Sequence, residues 1–342
     1  MTIASEITRI NNNIASSYTA CSNKGATLPA TQNSANLPNC INSIEVSRYG
    51  AKFGTFFGNV DGSGKMSMPS YSTNLSFDGV TDLGQYALRR TFSNNPAIIT
   101  ATFPDLTTIS GNYGLNNTFN NCTNLTSISL PNLTTISAQN EFYGMCANPS
   151  ARTVDLSSLT NAGSRSFYQA FNSNTNLTSV DFSSLTVVTG HLSFYQAFTG
   201  CTGLTSMSFP SLVTIGDATA TGTNCQHFSS AFSGCTGLTT LTFPELTAIY
   251  CNGANNANNG SFTNNETITK MYFPKLSEIS YAPAYTGSST TVTSACKYIF
   301  SGCTALTELH FGAANENAIK ATAGWSTLWG RGAGNATVYF DL

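Results

Sequence analysis

Apolar and polar positions recur with a fixed spacing along most of this chain. The stretch 119–136 is FNNCTNLTSISLPNLTTI, and the stretches 198–215 and 232–249 repeat it as FTGCTGLTSMSFPSLVTI and FSGCTGLTTLTFPELTAI. The shared pattern is F-x-x-C-x-x-L-x-x-Φ-x-Φ-P-x-L-x-x-I, in which Φ is apolar. A recurrence at a fixed period indicates a repeat architecture, and it decides the fold before any local assignment.

Nine copies of this pattern can be aligned, from a degenerate one at 75–83 to an incomplete one at 300–312. The proline position recurs with steps of 27, 26, 26, 27, 34, 30 and 38 residues, at positions 104, 131, 157, 183, 210, 244, 274 and 312. The regular step lies within the range of leucine-rich repeats, roughly 20–29 residues. We therefore predict one coil per copy, with loops inserted into the later coils.

Each copy predicts a short strand followed by a second extended segment. In LTSISL (125–130), the apolar Ile128 and Leu130 alternate with serines. This period of two predicts a strand with one buried face, and Pro131 closes it because proline cannot donate to a ladder. The SFYQAF segment (166–171) predicts one or two helical turns. No single coil can bury its apolar face alone, so the coils must stack.

The fourth position of the pattern is cysteine or asparagine. Its occupants are Cys122, Cys201, Cys235 and Cys303 in four copies, Asn95, Asn174 and Asn265 in three others, and Asn148 in the third copy. Both residue types can serve a structural ladder, since asparagine bonds to nearby backbone and cysteine is a small hydrophobe with a weak donor. Redox or metal chemistry is the alternative, but no C-x-x-C is present. We predict a structural ladder.

The outward positions of the predicted strands change character along the chain. Six pairs are small hydroxyl residues or aspartate: Thr100/Thr102, Ser127/Ser129, Thr153/Asp155, Ser179/Asp181, Ser206/Ser208 and Thr240/Thr242. The last two pairs are larger: Lys270/Tyr272 and Glu308/His310. A solvated strand face is one interpretation. A hydroxyl array that binds glycans is another, whereas ice binding is disfavoured because serine and aspartate break the threonine lattice.

The inserted loops form a second candidate surface, because their Tyr, Ser, Gly and Asn are typical of adaptable binding loops. Tyr168 and Tyr195 occupy the same place in successive copies, so we predict that their rings stack. Large aromatic and charged residues make better anchors than serine or threonine. Our candidate ligand-binding residues are therefore Tyr168, Tyr195, Lys270, Tyr272, Tyr285 and His310.

Sequence motifs for catalysis are nearly absent. Asp155 and Asp181 fall at equivalent positions in successive coils, close to the separation of a retaining glycosidase pair. Stacked solvent-facing aspartates are the commoner explanation, and no H-E-x-x-H, G-x-S-x-G, Walker or EF-hand motif occurs. We predict a non-enzymatic protein with no metal and no cofactor.

The N-terminal segment carries an isoleucine stripe, formed by Ile3, Ile7, Ile10 and Ile14. This spacing predicts a helix over 3–22. Such a helix would either cap the first coil or drive homo-oligomerisation, for example into a trimer. We divide the chain into an N-terminal helix and linker for assembly or attachment (1–40), an N-terminal cap (41–74), the solenoid (75–312) and a C-terminal cap (313–342).

Composition narrows the set of partners. Charged residues are 9% of the chain and the net charge is −2, without a basic run. Nucleic acid and anionic membrane are therefore poor partners. No signal peptide and no stretch of 18 apolar residues is recognised, so we expect no membrane insertion.

The repeat pattern resembles the BspA-like leucine-rich repeats of bacterial surface and mucosa-associated proteins. That resemblance implies a β-rich, right-handed coil stack with short helical turns, and a role in adhesion. The termini, MTIASEITRINNNIASSYTACSNKGATLPATQNSANLPNCINSI and NATVYFDL, are similar to those of tail and minor structural proteins from phages and prophages of gut Gram-positive bacteria.

The two resemblances together imply a phage or prophage tail protein. We expect it to be assembled in the bacterial cytoplasm, to contact other virion tail proteins and to bind a bacterial surface glycan or protein. A bacterial surface adhesin and a purely structural virion subunit remain the alternatives.

Overall fold

Each repeat folds into one coil that contains a strand, a second short strand and a run of turns. The computed structural model describes residues 12, 14–19, 73–136, 139–217, 226–250, 260–280, 299–322, 325 and 336–342. The coils stack in parallel, so that the molecule is a β-solenoid of leucine-rich repeats, as the sequence predicts.

The first strand of each coil builds one side of the solenoid, which we call the strand face. Its strands are β1 (Thr73–Ser76), β3 (Ile98–Thr102), β5 (Ser127–Ser129), β7 (Thr153–Asp155), β9 (Ser179–Asp181), β12 (Thr240–Thr242), β14 (Lys270–Phe273), β16 (Glu308–Phe311) and β17 (Thr337–Phe340). They form two parallel sheets, with the orders β1-β3-β5-β7-β9 and β12-β14-β16-β17.

The shorter second strands build an adjoining side. They are β2 (Asp82–Leu83), β4 (Thr108–Ile109), β6 (Thr135–Ile136), β8 (Asn161–Ala162), β10 (Val187–Val188), β11 (Thr214–Ile215), β13 (Ala248–Tyr250) and β15 (Glu278–Ser280). These eight strands, three in one sheet and five in another, mark eight successive coils. The ninth sequence copy contributes β16, and in the described residues the chain then leaves the pattern.

The core consists of phenylalanine columns that run from coil to coil. Phe209 stacks on Phe182 and on Phe243, with ring centroids 5.6 Å apart in each case. This distance is close to the strand spacing of about 4.8 Å, so each ring covers its counterpart in the next coil. Leu204 is fully buried in the same cluster. The predicted inward positions are confirmed.

The predicted helical turns are wrong. Residues 166–171 form consecutive turns instead, and we call the side built from these segments the turn face. The N–H groups of Phe167, Gln169 and Phe171 donate to carbonyl oxygens of the next coil at 2.7, 2.9 and 2.8 Å. The N–H of Ala170 donates three residues back, to Phe167 at 3.1 Å. The intercoil ladder takes every second donor, which a helix would have kept within the segment.

Left-handed backbone recurs through these turns at every fourth residue. In one coil it falls on Arg165, Gln169 and Ser173, with φ of 55°, 52° and 59°. Such a conformation costs a side-chain-bearing residue about 1–2 kcal/mol. The stacked coils hold it in place, because each backbone N–H of residues 165–173 then has an acceptor.

The cysteine ladder is confirmed. The Sγ atoms of Cys122, Cys201, Cys235 and Cys303 each donate to a phenylalanine carbonyl of the preceding coil, at 3.0, 3.0, 2.9 and 3.0 Å. Asn265 donates through Nδ2 to the Phe228 carbonyl at 3.0 Å. The third copy departs from the prediction, because Ser150 makes this bond, to the Phe119 carbonyl at 2.7 Å. Asn148 instead occupies a left-handed turn position with φ of 61°.

The ends of the chain are described in part. Residues 14–19 are helical, Ile14 is half-buried and Tyr18 is buried. After β16 the chain forms a 3-10 turn (Ala313–Asn315) and helix α1 (Glu316–Lys320), and β17 then pairs in parallel with β16. Ile3, Ile7 and Ile10 lie outside the described residues, so the isoleucine stripe stays a prediction. No described helix is long and apolar enough to span a membrane.

Candidate interaction surface

The strand face presents the outward residues that the sequence predicts. Ser127 pairs with Thr153, and Thr153 pairs in turn with Ser179. Toward the C-terminal end, Lys270 pairs with Glu308 and Tyr272 with His310. The register therefore brings the larger residues together on adjacent strands.

Asp155 and Asp181 have a local structural role. The N–H of Ser157 donates to Asp155 Oδ1 at 3.0 Å, and the N–H of Ser183 donates to Asp181 Oδ1 at 2.8 Å. The two serines stand where other copies carry proline, which has no N–H to donate. The aspartates therefore end the strand in the two copies that carry serine in place of proline. The sequence alone could have indicated this role, since an aspartate stands two residues before each of these serines.

A charged and aromatic cluster lies at the C-terminal end of the strand face. Lys270 Nζ lies 2.9 Å from Glu308 Oε2, and the same oxygen lies 3.0 Å from His310 Nε2. The hydrogen bond that Lys270 donates to Glu308 raises the pKa of Lys270, and the bonds that Glu308 makes with Lys270 and His310 lower the pKa of Glu308. The imidazole of His310 stacks between Tyr272 and Tyr339 at centroid distances of 4.5 and 4.6 Å.

Three members of this cluster were not among the candidate ligand-binding residues: Glu308, which the sequence placed only as an outward strand residue, and Tyr339 and Asp341. Asp341 Oδ1 lies 2.9 Å from His310 Nδ1, so carboxylates face both ring nitrogens of His310. Tyr339 covers the outer side of that ring and is 39% exposed. Both residues come from β17 and the residue after it, which lie outside the repeat pattern. We call these six residues the C-terminal cluster: Lys270, Tyr272, Glu308, His310, Tyr339 and Asp341.

Tyrosines form a row on the turn face. Tyr168 stacks between Tyr143 and Tyr195, with ring centroids 5.4 and 5.1 Å apart. Burial, and then the neighbouring tyrosines, raise the pKa of Tyr168. The predicted stacking of Tyr168 and Tyr195 is confirmed. The faces of Tyr168 are covered on both sides, so a ligand reaches its edge and hydroxyl rather than its flat surface.

The remaining sequence candidate, Tyr285, lies outside the described residues. The structure thus brings Lys270, Tyr272 and His310 together, and it places Tyr168 and Tyr195 on a different side of the solenoid.

The buried thiols are poor nucleophiles. Burial raises the pKa of Cys122 to about 11 and the pKa of Cys235 and of Cys303 to about 12. A thiol of that pKa carries little thiolate at neutral pH.

Burial and the nearby Arg165 lower the pKa of His191 to about 4, so its imidazole is neutral at physiological pH. In the described part of the chain, no group of three or more His, Cys, Asp or Glu residues is arranged to hold a metal ion.

Comparison with known proteins gives a family and a fold. The BspA type leucine rich repeat region matches residues 86–217, 169–282 and 228–323, which together cover most of the chain. No curated protein sequence matches significantly.

Among solved structures, the chain is similar to a T. pallidum leucine rich repeat protein (16% identity, 80% of this chain, 86% of that one, TM-score 0.33). It is also similar to a leucine rich cell surface protein from Faecalibacterium prausnitzii (15% identity, 80% of this chain, 87% of that one, TM-score 0.25). A chain of the Drosophila Toll–Spatzle complex matches at 12% identity, over 90% of this chain and 43% of that one, with a TM-score of 0.33.

Proposed function

This chain belongs to the BspA-type leucine-rich-repeat family, and we propose that it is a non-enzymatic interaction protein on a bacterial cell surface. A solenoid of repeats offers an extended binding surface, and such folds are typically interaction scaffolds. The resemblance to surface and mucosa-associated proteins supports the adhesin interpretation.

The observation that carries the proposal is the C-terminal cluster. Most of the strand face carries small hydroxyl residues, whereas this end carries two tyrosines, a lysine, a histidine and two carboxylates on three adjacent strands and the residue that follows the last of them. Tyrosine buries a large area per contact and keeps a polar tip, which suits a surface glycan or a protein. The hydrogen bonds among Lys270, Glu308 and His310 hold the cluster in one arrangement, so little side-chain entropy remains to be lost on binding.

The experiment compares binding of the full chain to bacterial cells and to a glycan array. Tyr339→Ala removes the exposed ring at the end of the stack, and we expect the signal to fall at least tenfold, or about 1.4 kcal/mol. The matched control is Tyr86→Ala, because Tyr86 is 47% exposed and lies on the turn face. An unchanged signal for Tyr339→Ala would move the binding surface away from the C-terminal cluster.

The virion role remains a second proposal, which rests on the resemblance of the termini alone. The two locations are separable in the producing bacterium. Protease treatment of intact cells should remove a surface adhesin, whereas a tail protein would sediment with phage particles after induction. The family assignment favours the first result.

A further inference from the structure

The hydrogen-bonded ladder of the strand face is interrupted within one coil. β9 is the edge strand of its sheet and β12 begins the next sheet, although residues 205–209 lie between them. In the described part of the chain, this segment forms one isolated bridge, between Ser208 and Thr242. The sequence 198–215 fits the repeat pattern as well as its neighbours do, so nothing local marks the interruption.

The coils still touch on both sides of this interruption. The rings of Phe182 and Phe209 are 5.6 Å apart. The backbones of the two coils are also in close contact at Gly203. A Cβ there would lie 2.7 Å from the Thr175 carbonyl oxygen and 2.8 Å from the Leu177 carbonyl oxygen, so no larger residue fits. The opening is therefore confined to 205–208, and it is too narrow to admit another strand into the sheet. A ligand must lie across the outer surface.

A cleft of about 500 Å³ lies at this interruption, which is a common size for a binding pocket. Its apolar lining includes Val180 and Met207, which are 7% and 8% exposed, whereas the equivalent Val154 and Leu241 of the flanking coils are 2% and 1% exposed. Asp155 and Asp181 also line it, and they are direct partners in the register of β7 and β9.

The charges in the cleft are of one sign. Partners in adjacent parallel strands are separated by about 4.8 Å, so the two aspartates lie side by side and repel one another. Of the described lysine, arginine and histidine residues, none forms an ion pair with either carboxylate. A cationic group placed between the carboxylates would relieve that repulsion. Val180 and Met207 form an apolar floor on which an alkyl chain can pack, and the flexible Met207 side chain can adjust to its shape.

We propose that this cleft docks an extended, lysine-bearing segment of a partner protein. A lysine combines an ammonium group with a four-carbon stem, and these match the carboxylates and the floor respectively. The hydroxyl groups of Ser179, Ser206 and Ser208 also line the cleft, and they can hydrogen-bond to the peptide groups of a segment that lies across this outer surface, whereas a polyamine has no peptide groups. The proposal rests on the interaction role proposed above, but it is independent of the C-terminal cluster.

The test measures fluorescence anisotropy of a labelled decapeptide of alternating lysine and serine with the full chain. The double variant Asp155→Asn, Asp181→Asn is the main comparison, because an asparagine oxygen still accepts the Ser157 and Ser183 N–H bonds. We expect its affinity to fall at least tenfold. The control Glu245→Gln, Glu316→Gln removes the same charge at exposed sites away from the cleft, and it should bind like wild type.

A second variant tests the cleft if the double variant unfolds at a lower temperature than wild type. Ser206→Lys places an ammonium group at an exposed position of the cleft, so it should abolish peptide binding without affecting the core. Three outcomes would overturn the proposal: no binding by wild type, equal binding of a decapeptide with acetylated lysines, or equal loss in the control. Binding of glucosamine oligomers in place of the peptide would also overturn it. Tyr339→Ala should leave peptide binding intact, which separates a failure here from a failure of the C-terminal cluster.

Discussion

Replacing Glu141 with glutamine should remove a pH dependence from the stability of this solenoid. Glu141 is fully buried on the turn face, where successive coils carry Gly114 and Ser166 at the equivalent position. Its Oε2 accepts the Gly114 N–H at 2.8 Å, and its Oε1 has no hydrogen-bond partner among the described residues. Burial raises the pKa of this carboxyl from 4.5 to about 8, and Asp82 adds a smaller increase.

The sign follows from the proton balance. The unfolded chain releases this proton near its ordinary pKa of 4.5, whereas the folded chain retains it up to about pH 8. The stabilisation that the Glu141 carboxyl contributes is therefore greatest below pH 4.5 and is lost as the pH rises through about 8. At about 1.4 kcal/mol per pKa unit, the whole interval corresponds to about 5 kcal/mol, of which about 3 kcal/mol falls between roughly pH 5 and pH 7.5.

Urea denaturation, followed by circular dichroism across this pH range, measures the effect. The glutamine variant cannot ionise, so its free energy of unfolding minus that of wild type should rise by about 3 kcal/mol between roughly pH 5 and pH 7.5. Glu245→Gln is the matched control, because it makes the same substitution at an exposed site, and this variant should keep the pH dependence that Glu141 gives to wild type. Parallel curves for wild type and Glu141→Gln would show that the carboxyl is not held in a desolvating site.

Three other changes test the stacking and the N-terminal segment. Cys235→Val removes one of two donors to the Phe198 carbonyl, which keeps the Cys201 N–H, and should cost about 0.5–1.5 kcal/mol in a urea titration, whereas Cys235→Ser, which keeps a donor, should cost less. Leu204→Asp places an unpaired charge in the core and should unfold several coils, so a wild-type melting curve would contradict the assigned register. A chain that starts near residue 43 should lose self-association in light scattering, and an unchanged mass would leave only the capping role for the N-terminal helix.

Much of the strand face could be predicted from the repeat alone. The period determines which residues point inward. It also places Cys122, Cys201 and their equivalents in one ladder, because parallel stacking brings the same repeat position of successive coils side by side. The same rule predicts the stacking of Tyr168 on Tyr195. The aspartate–serine replacement of proline was present in the sequence as well, although it becomes meaningful only once the N–H bonds are seen.

The backbone hydrogen bonding of the turn face could not be predicted in this way. SFYQAF contains residues that are compatible with a helix, and its own sequence does not say whether its N–H groups bond within the segment or to the next coil. Stacking decides this, because the neighbouring coil offers a carbonyl to every second N–H.

The sequence by itself determined the coil register, the buried columns and the order of residues along the strand face. The tertiary structure alone decided that β17 returns to place Tyr339 and Asp341 against His310, and that the ladder opens at 205–208. The first set follows from a short period that every coil repeats. The second depends on how a non-repeating segment docks and on how one coil pairs with its neighbours, and neither is encoded within any one repeat.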